Sequence, residues 1–177
     1  MKNIAKPQET EHAVYYEKFI ALVDDKKSVL DQLKANAKMI EQKVLSLSDD
    51  ILSSPYAPGK WSIKDILMHL TDGERVFLYR AMRFARNDQS PLPFFDENEF
   101  AKQANATAMP IRKILKEYKT TRQATLAFFS NQSAAILKRM GMASHAAMSV
   151  RACAWIICGH ELHHWKVIQD RYLGARL

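Results

Sequence analysis

Apolar residues in this chain recur three and four apart and almost nowhere alternate, and that spacing commits it to helices. Leu30, Leu33, Ala37, Ile40, Val44 and Leu47 keep the rhythm over the longest run. A helix turning about 100° per residue gathers them into one narrow seam. Runs of β-branched residues are few and there are only five glycines, so no competing sheet pattern emerges. The expected fold class is all-α.

Turn and capping residues divide the helices. Residues 1–12 are polar and read as a flexible lead-in, followed by a short helical stretch from about Tyr15 to Val23. Ser53-Ser54-Pro55 and Pro58-Gly59 stop the first long helix, and Ser62 with Asp65 three residues on resembles a capping box. The second long helix that it opens runs to about Arg86. Pro91 and Pro93 lack amide donors and restrict the residues before them, which makes Asn87 to Asp96 a crossover. Asp96 with Glu99 caps a short helix after it, and Pro110 opens a third long helix reaching about Ser130. A looser helical piece, Ala134 to Met140, stops at Gly141. The last long helix runs from Ser149 to Gly174, a glycine suited to a left-handed terminal position. Four long helices and one long crossover describe a four-helix bundle, a single domain over residues 1–177.

Composition removes several function classes. The chain is 47% hydrophobic, enough for a core without disulfide staples. Cys153 and Cys158 close no small loop and no signal-peptide pattern stands ahead of them, so a reducing, cytoplasmic setting is expected. Apolar stretches such as Ala152 to Gly159 are far shorter than a membrane span. The net charge of +7 is spread out: Arg75, Arg80, Arg83 and Arg86 share a segment with Asp72 and Glu74, while Arg112, Lys113, Lys116, Lys119 and Arg122 read as the solvated face of the third helix. No recognition-helix or zinc-finger spacing accompanies these residues, and nucleic acid is not an expected partner.

The histidines carry the chemistry. His160 and His164 are four apart on the last helix, within about 40° of each other on the wheel, and share a stripe with Cys153, Ile156, Ile157, Val167 and Ile168. Two inward imidazoles need partners, and one metal ion satisfies both. His69, amid Ile66, Leu70 and Gly73, offers a third ligand from the second helix. Hydrogen-bonded core histidines are the competing explanation. His163 competes with His164 but rotates toward the flank of Trp155, which places it at the rim. Asp72, about 60° from His69 on the wheel, could orient an imidazole or lie at the surface. Glu161 should point away from His160, and Glu74 should pair with a basic neighbour. Three histidines leave a coordination position open, which suits catalysis better than a structural plug.

Three segments together resemble a known family: Gly59-Lys60-Trp61-Ser62 through His69-Leu70-Thr71-Asp72-Gly73-Glu74-Arg75, then Pro91-Leu92-Pro93-Phe94-Phe95-Asp96, and Gly159-His160-Glu161-Leu162-His163-His164. They are similar to the DinB-like superfamily of damage-inducible bacterial proteins, which shares its bundle with certain metal- and thiol-dependent transferases. The resemblance implies an up-down-down-up four-helix bundle, a homodimer, and metal ligands at His69, His160 and His164.

The leading expectation is therefore a metal-dependent enzyme acting on a small molecule. Zinc or nickel would be the ion, with iron a third option. It would activate water for hydrolysis or hold a low-molecular-weight thiol for transfer. The alternative is a non-catalytic stress-response or binding module in which the metal only stiffens the bundle, with Asp72 or His163 closing the site.

Overall fold

The computed structural model describes residues 3–174 and is helical apart from one small hairpin. Its helices are α1 (Glu17–Ile20), α2 (Val29–Leu45), α3 (Asp49–Ser53), α4 (Ile63–Ala85), α5 (Glu97–Ala104), α6 (Ile111–Ser130), α7 (Ala134–Leu137) and α8 (Val150–Val167). The four long ones form the bundle: α2 and α4 each pack against both α6 and α8. Consecutive long helices α2 and α4 thus occupy opposite corners, and the crossover carrying α5 brings the chain back beside α4.

Local chemistry sets the limits of α4. Ser62 Oγ accepts the Asp65 amide at 3.1 Å, and Asp65 Oδ2 accepts the Ser62 amide at 2.9 Å, which completes the capping box. At the far end Asn87 takes φ 61°, its amide bonds to the Phe84 carbonyl and the Asp88 amide to the Arg83 carbonyl, a Schellman closure that satisfies the last carbonyls. Both limits match the spacing expected from sequence. The seam of α2 is buried at Leu30, Leu33, Ile40 and Val44, each contributing about 1.5–3 kcal/mol of hydrophobic stabilisation.

Three expectations need correction. The Ala134 to Met140 piece is helical only to Leu137, and Met140–Ala143 pairs antiparallel with Ala146–Ser149 as β1 and β2. The turn between them, Ser144 and His145, has both φ angles positive, as a two-residue type I′ hairpin requires. Leu92 in the crossover pairs with Ala143, so a contact distant in sequence organises this region. The lead-in is packed where it is described: Ile4 is fully buried, Trp155 Nε1 donates to its carbonyl, and Glu11 is ion-paired with Arg151. Gly174 has φ −68°, which is right-handed, because α8 continues into a π-helical turn, Ile168–Leu173, rather than ending in a left-handed residue.

The core is split. One cluster, including Leu30, Leu33, Phe77, Phe84, Phe129 and Trp155, fills one end of the bundle. Another, including Ile40, Val44, Ile66, Leu67, Ile114 and Trp165, fills the other. Between them α4, α6 and α8 contribute His69, Glu74, Tyr118, Arg122, His160 and Glu161, a polar layer across the middle. Among the described residues no helix is long and apolar enough to cross a membrane.

Candidate metal centre

His69 sits seven residues beyond the cap of α4, and the cap therefore fixes its rotation about the helix axis. His160 and His164 face it from successive turns of α8. The ring nitrogens available for ligation all lie within 4.8 Å of one another, and His69 Nε2 is 3.0 Å from His160 Nε2. Imidazole nitrogens at about 2.0–2.1 Å from a shared tetrahedral ion stand roughly 3.4 Å apart, so these rings need only small rotations to share one. Among the described residues they are the group of histidine, cysteine, aspartate or glutamate side chains placed to do so.

Burial keeps the donors neutral. It pushes the His69 pKa down to about 4. His164 falls to about 3, through burial first and then the nearby positive charge that His69, His163 and Lys18 would bring. His160 is held well below its ordinary value by burial and by its histidine neighbours. At neutral pH all three keep the lone pairs that a metal needs. Aromatic side chains wall them in: Trp61 lies 4.6 Å from His69 between ring centroids, and Phe19 meets His160 and His163 edge-on at 5.2 and 5.3 Å.

Among the described residues, two of the larger clefts reach this cluster. One, of about 360 Å³, is lined by His69 and His160 together with Phe19, Phe77, Arg80 and Phe94. Another, of about 280 Å³, is lined by His164, Trp61, Tyr56 and Tyr172.

Asp72 does not orient an imidazole. Its carboxylate accepts from Arg75 Nη1 at 3.1 Å, and Arg75 also reaches Glu117 at 2.8 Å. Glu161, expected to point away from His160, has its carboxylate on other partners: Arg122 Nη2 lies 2.5 Å from its Oε1 and the Tyr118 hydroxyl donates to the same oxygen. Glu74 pairs with a basic residue as expected, and that residue is Arg122, at 2.8 Å. Arg122, read as part of a solvated face, and Arg80, read as one charge in a segment of mixed sign, are each almost fully buried. The signal was available. Leu115, Tyr118, Arg122, Thr125 and Phe129 keep a three-and-four rhythm, and so do Gly73, Phe77, Arg80 and Phe84; both arginines stand on apolar stripes.

The profile of the DinB superfamily matches residues 32–168, most of the chain and all three histidines. This chain belongs to the DinB superfamily. Among curated relatives, one from Oceanobacillus iheyensis, named as a candidate metal-dependent hydrolase, is 30% identical over 95 residues, 53% of this chain and 54% of its own. Another of the same description, from Geobacillus thermodenitrificans, is 27% identical over 92 residues, 52% of each chain. The matches thus span about half the length of these relatives. YfiT from Bacillus subtilis, described as a candidate metal-dependent hydrolase with an unusual four-helix bundle topology, superposes with a TM-score of 0.69 at 19% identity, over 93% of this chain and 90% of its own. A mycothiol-dependent maleylpyruvate isomerase superposes with a TM-score of 0.65 at 9% identity, over 83% of this chain and 61% of its own. At such identities these two structures show the bundle fold alone.

Proposed function

We propose that His69, His160 and His164 hold one divalent transition-metal ion, zinc or nickel before iron, and that the protein is a metal-dependent enzyme acting on a small molecule. The observation that carries this reading is the convergence of three neutral imidazoles, of which His69 and His160 line one open cleft and His164 another. The donor set fits: uncharged nitrogens suit a borderline-soft divalent ion, and three of them leave a position free. When bound, such an ion would lower the pKa of a water or thiol brought to that position and polarise a substrate oxygen. The chain's own residues do the rest. Trp61 and Phe19 fix the imidazole planes and keep bulk water off them, and burial holds the rings deprotonated.

Hydrolysis is the first reading, in line with the names that relatives carry. Thiol transfer is the second, favoured by the second cleft at His164, which would let two reactants approach the cluster from different sides. A purely structural metal would need a fourth protein ligand, and neither Asp72 nor His163 joins the group.

Elemental analysis of untagged protein beside His160→Ala tests the proposal. About one equivalent of metal in the parent and little in the variant supports it. Absence of metal from both, with failed reloading, overturns it. Cobalt-substituted protein then separates the two reactions: a visible spectrum unchanged by added thiols rejects thiol transfer.

A further inference from the structure

Four cationic side chains are buried among the described residues: Lys64, Arg80, Arg122 and Arg151. Three have a carboxylate. Lys64 meets Asp49 at 2.7 Å, Arg122 lies between Glu74 and Glu161, and Arg151 pairs with Glu11. Arg80 has none. Its Nη2 donates to the Pro93 carbonyl at 3.1 Å and to Ser144 Oγ at 2.8 Å, the Tyr16 hydroxyl lies against it, and its guanidinium stands 5.3 Å from the Phe77 ring centroid. All of these partners are neutral. Only 2% of the residue is exposed, and removing a charge from water without a counter-charge is expensive.

This uncompensated cation lines the same cleft as His69 and His160. The carboxylate of Glu97, also on that cleft, belongs to an exposed residue and makes no ion pair with Arg80. Between Arg80 and the histidines the wall is apolar, made by Phe77, Phe19 and Ile156. Cys153, close enough to feel the Arg80 charge, is two helical turns from His160 along α8, which is roughly 10 Å at 1.5 Å per residue.

We propose that Arg80 is the anion-binding end of the substrate cleft, and that the protein takes an elongated small molecule carrying a carboxylate at one end, an apolar or aromatic middle, and its reacting group at the histidine end. This deepens the reading of the cleft as an enzyme site and rests on it for the word substrate. The bound carboxylate supplies the missing counter-charge through charge-assisted hydrogen bonds. Meanwhile the bonds to Pro93 and Ser144 hold the crossover and the hairpin as walls around it.

The test is calorimetric titration with 4-phenylbutyrate and with its neutral amide, using metal-free protein, zinc-loaded protein, His160→Ala, Arg80→Lys and Arg80→Met. Expected is carboxylate binding at least about tenfold tighter than amide binding in metal-free protein and in His160→Ala. It should weaken in Arg80→Lys and vanish in Arg80→Met. Equal affinity for acid and amide, or no binding of the acid at millimolar concentration, overturns the proposal. Binding that needs zinc and survives in Arg80→Met puts the carboxylate on the metal; that overturns the Arg80 subsite while leaving the metal centre standing. Binding that persists without metal upholds the subsite even where metal analysis fails. Should Arg80→Met not fold, the acid–amide contrast on the unaltered protein decides.

Discussion

The carbonyl oxygen of Phe19 lies so close over Gly159 that a β-carbon added there would stand 2.0 Å from it. Glycine at this position lets the backbone of α1 rest directly on α8, one residue before His160. The same approach sets the Phe19 ring edge-on to His160 and His163. A single missing methyl group thus links helix packing to the posture of the candidate ligands.

Gly159→Ala should lift α1 from α8. Overpacking of this kind costs about 1–3 kcal/mol, to be read as a lower denaturant midpoint with an unchanged slope. Metal affinity should fall too, because Phe19 would no longer brace His160. A variant of parental stability and affinity would show that α1 has no part in the site.

Arg122 sets one positive charge against two buried carboxylates and also donates to the Leu33 carbonyl at 2.6 Å. Arg122→Met should destabilise the protein by about 3–5 kcal/mol, since Glu74 and Glu161 would remain buried without a partner. Adding Glu74→Gln to Arg122→Met should recover part of that loss in urea unfolding. Failure to recover would mean that packing around the arginine, and not charge, dominates.

Metal-free protein should lose stability as the pH falls from about 7 to about 4. Unfolded histidines take up protons near their ordinary value of 6.5, while folded His69 resists until about 4 and folded His164 until about 3. Over that window the unfolded chain binds more protons, and acid pulls the equilibrium toward it; the dependence ends once both states are protonated. Each unit of difference between folded and unfolded pKa corresponds to ~1.4 kcal/mol. Urea midpoints at several pH values, in the parent and in His69→Gln, check this: the variant should show the shallower decline.

His145 is exposed and holds φ 63° in the turn between β1 and β2. His145→Gly should relieve left-handed strain of about 1 kcal/mol, and the thermal midpoint should rise. A fall would indicate that the imidazole makes a contact worth more than the strain.

Much of the fold was legible because its signals are local. Ser62 and Asp65 announce the start of α4 within four residues. His160 and His164 betray their shared direction through helical phase alone, and His69 needs only the apolar pattern around it. The hairpin was not legible in this way. Its turn uses Ser144 and His145 where glycine or asparagine would advertise the geometry, and Leu92, some fifty residues earlier, completes its pairing. Arg80 and Arg122 were misplaced because charge was weighed above phase: their stripes point inward, but nothing in the sequence says which carboxylate, if any, will meet them. Asp72 stayed open between two readings for the opposite reason, since wheel angle brought it near His69 while Arg75, three residues on, holds its carboxylate.

The π-helical turn over Ile168–Leu173 behaves as an insertion that the chain has absorbed. Wider winding accommodates one more residue than an α-helix would place in the same length, so everything beyond it is rotated relative to the histidines upstream. That rotation delivers the Tyr172 hydroxyl to the Trp61 carbonyl, on the residue whose indole leans against His69. Deleting one residue here would restore ordinary winding and leave His160 and His164 untouched, yet it would swing Tyr172 away and unfasten the loop that carries Trp61. Aligning this chain with a relative that lacks the bulge would call for a one-residue gap just past the last histidine, and that gap would mark the clasp.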